Sequence, residues 1–205
     1  MYNPNYHNRQ STRYRGYDYS SIGWYFVTIN TKNRQCIFGE IHNSQMQLNE
    51  LGLIIYDEWM NTLAIRDNIV LHEFIVMPNH IHGIIEIQRS KGERNVIGKF
   101  RSPSETLGAI VRGFKGVATK RVKTFCFELE GKHSPCVLNT GCPSSSRCPL
   151  PRPRMGVLQY AHTGAGKRKE KSLWQRNFHD RIIRDQKELY NVKNYILNNS
   201  KNWKK

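Results

Sequence analysis

Two histidines stand one residue apart in the segment VMPNHIHG, residues 76–83, beside a proline turn and inside an apolar run. Neutral imidazoles are good ligands for divalent cations. On a strand, side chains alternate, so His80 and His82 share a face while Ile81 points the other way. The pair alone is weak evidence: with 8 histidines in 205 residues, chance supplies this spacing about 0.3 times per chain. Two ordinary, hydrogen-bonded strand histidines would read the same. The meaning of the pair depends on what else reaches that face.

The last helical stretch offers partners. Asp185 and Glu188 have capping-box spacing and open a helix through about Asn198, with Leu189, Val192 and Ile196 as its apolar stripe. Tyr195 and Asn199 lie at i, i+4, stacked about one turn apart. If this helix covers the His-x-His strand, a phenol and an amide oxygen supply a nucleophile and a third, hard ligand. Tyr190 and Asn194 repeat the spacing, and periodicity does not choose between the pairs.

These residues need elements to position them. GWYFVTINT, residues 23–31, alternates aromatic and β-branched residues and predicts a first strand. Leu48, Leu51, Ile55, Trp59 and Leu63 recur at helical spacing. NIVLHEFIVM (68–77) and HIHGIIEIQ (80–88) predict two strands joined by the turn Met77-Pro78-Asn79-His80, hence an antiparallel hairpin. A second helix is expected from about Ser104 to Thr124, apolar at Leu107, Ile110, Val111, Phe114, Val117 and Ala118 and basic elsewhere. SLWQRNFHDRIIRD (172–185) holds a fourth strand and its approach. The order β-α-β-β-α-β-α predicts an α+β, ferredoxin-like sandwich: an antiparallel sheet with helices packed on one face, plus the C-terminal helix that carries the candidate nucleophile.

Residues 131–171 break this pattern. They hold five of the eight prolines, a Ser-Ser-Ser run, and eight Lys and Arg against one Glu, a net +7. Nothing there is periodic, so a flexible basic insertion is expected within a single domain whose core spans about 20–130 and 172–203. Cys136, Cys142 and Cys148 recur every six residues near His133, but structural zinc sites favour closer cysteine pairs. An odd cysteine count of 5, with no apolar leader at the N-terminus, argues against a disulfide framework.

The formal charge of +16, from 32 Lys and Arg against 16 Asp and Glu, points to nucleic acid, where counterion release drives binding. A membrane surface fits less well, since no basic helix shows a strong apolar face. No stretch has the apolar length of a membrane span, and a cytoplasmic protein is expected.

VMPNHIHGIIEI, followed far downstream by LWQRNFHDRIIRD and NVKNYILNN, resembles the REP-associated tyrosine transposases of the HUH single-tyrosine superfamily. STRYRGYDYSSIGWYFVTINTKNRQCIFGEI and LGAIVRGFKGVATKR are similar to the same family, so the likeness spans most of the chain outside 131–171. The resemblance implies His80 and His82 as metal ligands, Tyr195 rather than Tyr190 as nucleophile, and Asn199 as third ligand. It also implies Mg2+ or Mn2+ as the cation, although imidazole chemistry alone would admit zinc. The family often has proline after this asparagine; here it is Ser200.

The implied activity is metal-dependent cleavage and rejoining of single-stranded DNA through a covalent 5′-phosphotyrosine. The expected partners are single-stranded or hairpin DNA, REP-like palindromes by resemblance, with the protein a monomer or homodimer. Arg13, Arg15, Arg112, Lys115, Lys120, Arg121, Trp174 and Arg176 are candidates for gripping that DNA, the tryptophan by stacking on unpaired bases. One rival reading is a basic nucleic-acid-binding module without catalysis. Another is an HUH replication initiator or relaxase, although those families commonly reverse the strand order or add a helicase, and no P-loop is present.

Overall fold

The computed structural model describes residue 14 and residues 16–88, 105–132 and 172–203, with side chains for all of these except 130–132. Among the described residues, six strands and three α-helices follow in the order β1 (Gly23–Asn30), β2 (Gly39–His42), β3 (Gln45–Leu48), α1 (Glu50–Ile65), β4 (Ile69–Met77), β5 (His80–Ile87), α2 (Leu107–Lys132), β6 (His179–Ile183) and α3 (Gln186–Leu197). Four strands make one sheet in the order β4-β5-β1-β6, antiparallel throughout. This is the expected α+β, ferredoxin-like arrangement. Residues 133–171, with Cys136, Cys142 and Cys148, lie outside the described residues, as do Arg13 and Arg15.

Alternation along the strands divides the sheet into two apolar faces. Tyr25, Val27, Ile29, Ile81, Ile85 and Ile87 join Ile55 and Trp59 of α1 and Ile110, Phe114 and Ala118 of α2 in the larger core. Ile84 and Ile183 face the other way and meet Leu189, Val192 and Ile196 of α3. So α1 and α2 cover one face and α3 the opposite one. The glycine of HIHG belongs to the first face: a Cβ on Gly83 would come within 2.5 Å of the Trp59 ring. A bare backbone there lets α1 lie close against the strand that carries the histidines.

Local chemistry sets the helix starts. Asn49 caps α1 by accepting from the Gly52 N–H at 2.9 Å, and Asp185 caps α3 by accepting from the Glu188 N–H at 2.7 Å. Helix α2 runs on to Lys132, well past the Thr124 expected from its stripe. The short β2–β3 hairpin was not foreseen. Its turn is Asn43-Ser44, both at positive φ (50° and 62°), the geometry of a two-residue hairpin turn. The flanking strands GEIH and QMQL are only four residues each, too short for their alternation to stand out.

Two candidate DNA contacts are tied into the fold. Trp174 is only 3% exposed, packed against Phe38 and Phe114, and offers no ring face to a base. Its indole N–H donates to the Lys115 carbonyl at 3.2 Å. The Lys115 ammonium donates to the carbonyls of Gln175 (2.7 Å) and Asn177 (2.8 Å), and burial lowers its pKa to about 8. The approach to β6 is therefore clamped onto α2. Lys115→Met is expected to cost about 1–3 kcal/mol, because two carbonyls lose a charged donor. Urea denaturation measures this, with DNA affinity of the folded variant unchanged. Normal stability with weakened DNA binding would restore the phosphate-gripping role.

Candidate active site

The site begins at the β4–β5 turn, which the segment after β1 holds in place. The Pro78 carbonyl accepts from the Ile37 and Phe38 N–H groups at 2.9 and 3.1 Å. The Asn79 carbonyl accepts from the Thr31 N–H and its hydroxyl, at 3.0 and 2.9 Å. Asn79 Nδ2 donates to the Arg34 carbonyl at 3.2 Å, which turns its Oδ1 towards His80 Nδ1, 2.6 Å away. Because that amide is oriented by its other end, the network assigns the His80 proton to Nδ1.

His80 and His82 do share a face of β5, the face covered by α3. Their Nε2 atoms approach to 3.0 Å. His82 Nδ1 lies 2.9 Å from the Thr28 hydroxyl on β1, its direct cross-strand partner. Phe26, two residues earlier on the same face, stacks on the His82 ring with centroids 5.2 Å apart. Trp203, beyond α3, tilts over His80 at 5.7 Å. Burial holds both imidazoles neutral: His80 is lowered to about 4, with Arg34 adding to the effect, and His82 to about 3, with His80 adding.

This neutrality has a pH consequence. Both folded values lie below the ordinary histidine value of 6.5, so the unfolded chain takes up protons first on acidification. The stability of the neutral pair is complete above pH 6.5 and drains as pH falls below it, towards about 4 for His80 and about 3 for His82. In EDTA, moving from pH 7 to pH 5 should lower the urea midpoint of the wild type more than that of a His80→Gln/His82→Gln double variant. Equal acid sensitivity would contradict buried, neutral histidines.

Helix α3 brings Tyr195 to this pair. The Tyr195 hydroxyl lies 3.4 Å from His82 Nε2, and its ring stands edge-on to both His82 (5.3 Å) and Phe26 (6.0 Å). Tyr195 is half-exposed. Tyr190 is 66% exposed. Asn199 is buried just past the helix end, its backbone N–H bonded to the Ile196 carbonyl. Among the described residues, no group of three or more His, Cys, Asp and Glu forms a metal-binding cluster.

The remaining basic candidates are spread out. Arg112 and Lys120 are exposed on α2, across the sheet from the histidines, and Arg176 is exposed before β6. Arg121 is held by Glu58 at 2.6 Å and by Asp57 at 3.7 Å on α1. Sequence reasoning missed Phe26, Thr28, Asn79 and Trp203. The period of β1 puts Phe26 and Thr28 on one face, but only the β1–β5 register places that face beside His82.

An antiparallel sheet in this order, with a His-x-His strand under a tyrosine-bearing helix, defines an α+β protein of the tyrosine-transposase fold. A solved REP-associated tyrosine transposase bound to a REP hairpin overlays 91% of this chain and 71% of its own, with a TM-score of 0.51 and 16% identity. No family model matches the sequence. The chain belongs to the same family as an uncharacterized protein of Haemophilus influenzae, 34% identical over 210 residues, covering 98% of this chain and 93% of that one. Among the described residues, no helix is long and apolar enough to cross a membrane.

Proposed function

We propose that this chain is a metal-dependent transposase or endonuclease of the REP-associated tyrosine type, which cleaves and rejoins single-stranded or hairpin DNA. One observation carries the reading: His82 Nε2 lies 3.4 Å from the Tyr195 hydroxyl and 3.0 Å from His80 Nε2. The net charge of +16 supports a polyanionic partner. Cytoplasmic DNA is the partner this reading assumes.

The donor set fits a divalent cation. Each Nδ1 faces an oxygen, from Asn79 or Thr28, so each Nε2 can present a lone pair. The two Nε2 atoms lie 3.0 Å apart, close enough for one cation to be shared between them. His80 and His82 would hold Mg2+ or Mn2+, with Asn199 as third ligand. The bound cation supplies charge that offsets the negative charge developing on a scissile phosphate.

The protein's own part is nucleophilic. The Tyr195 oxygen attacks phosphorus as the bond to the 3′ oxygen breaks, giving a 5′-phosphotyrosine and a free 3′-OH that carries the proton. The phosphodiester is conserved, so a second 3′-OH can reverse the step without ATP. The test is incubation of a labelled single-stranded hairpin DNA with the protein and Mn2+. A denaturation-resistant protein–DNA adduct and a nicked strand are expected. DNA bound at the same concentrations without any adduct would instead favour the non-catalytic, basic binding module.

A further inference from the structure

We infer that Thr28 is a positioning residue that lets His82 exchange its ring proton between two nitrogens, so that the same imidazole serves as hydrogen-bond donor to His80 and as cation ligand. The inference rests on the cation reading of the pair. It starts from a difference between the two rings. His80 is fixed: Asn79 Oδ1 only accepts, and its orientation is locked by the bond from Nδ2 to the Arg34 carbonyl. The His80 proton therefore stays on Nδ1 and its Nε2 is always a lone pair.

Two lone pairs cannot face each other at 3.0 Å without something positive between them. With no cation bound, His82 must put its proton on Nε2 and donate to His80. Its Nδ1 is then an acceptor and needs a donor. With a cation bound, His82 Nε2 must be bare, its proton moves to Nδ1, and Nδ1 needs an acceptor. A carboxylate or a carbonyl at that position could satisfy only the second state, and an amide N–H only the first. A hydroxyl satisfies both, since it donates or accepts by rotating its hydrogen. Thr28 Oγ1 sits 2.9 Å from His82 Nδ1. Proton count and ring charge are the same in both states, so the exchange does not depend on protonating the buried ring.

Phe26 holds the imidazole in plane while this happens, stacked at 5.2 Å and 26°. Thr28 lies on the central strand β1, hydrogen-bonded to β5 and β6 on either side, so its Cβ cannot drift from the ring. Valine has the same shape and suits a strand, which makes Thr28→Val a variant that removes the hydroxyl and little else.

The experiment titrates Mn2+ into wild type, Thr28→Val and Thr28→Ser by electron paramagnetic resonance, and records the nitrogen-15 shifts of His82 in EDTA and in Mg2+. Mn2+ affinity should fall about 10- to 100-fold in Thr28→Val, the range for lost outer-shell partners, and return in Thr28→Ser. The wild-type His82 proton should sit on Nε2 in EDTA and on Nδ1 in Mg2+. Thr28→Val binding Mn2+ as tightly as wild type, or one tautomer in both conditions, overturns the role of Thr28 and leaves the cation site standing. A wild type that binds no Mn2+ overturns the cation site itself, and this inference with it.

Discussion

Tyr195→Phe should abolish the covalent DNA adduct while leaving affinity for a hairpin nearly unchanged. The variant loses one hydroxyl and keeps the ring, so the edge-on contacts with Phe26 and His82 persist. Loss of the nucleophile in a covalent enzyme costs on the order of 10^6-fold in rate, which places the variant below detection in a gel assay. Tyr190→Phe is the control. Tyr190 is 66% exposed on the same helix, and the hydroxyl beside His82 is that of Tyr195, so the Tyr190→Phe variant should form the adduct at the wild-type rate. An adduct that survives Tyr195→Phe but disappears in Tyr190→Phe would reassign the nucleophile.

The second large effect concerns the histidines. Cleavage should stop in EDTA, return with Mg2+ or Mn2+, and fall about 1000-fold in His80→Asn or His82→Asn, the scale of several kcal/mol of lost charge stabilisation. Asparagine is chosen over alanine because His82 is only 6% exposed. An alanine would leave the Thr28 hydroxyl facing a gap and confound chemistry with stability. Circular dichroism on each variant separates the two. Undiminished cleavage in EDTA, or in the His80→Asn/His82→Asn double variant, would remove the metal from the mechanism. The acid sensitivity described above would survive that outcome, because it depends on burial and not on a ligand.

Much of this site was legible before any fold was known, and the reasons are local. Alternation in a strand is a property of the backbone, so His80 and His82 had to share a face once HIHGIIEI formed a strand. The i, i+4 relation of Tyr195 and Asn199 and the Asp185 cap follow equally from helix geometry. The resemblance to the tyrosine transposases singled out Tyr195 where periodicity left Tyr190 open. In the fold it is Tyr195 whose hydroxyl comes within 3.4 Å of His82 Nε2.

What the tertiary structure decided are relations between residues distant along the chain. The period of α2 marked Lys115 as one of a basic set, and nothing nearby says that it reaches carbonyls 60 and 62 positions away. Arg121 meets Glu58 across the packing of α2 on α1, and Trp174 fills a gap between Phe38 and Phe114. Thr28 reads as a routine strand residue until the β1–β5 register sets it against His82, 54 positions on. Strand and helix periods are written into short stretches of backbone, so sequence alone determined which side chains travel together. Which of those faces meet depends on strand order and crossover, and that is settled only when the whole apolar surface is buried at once.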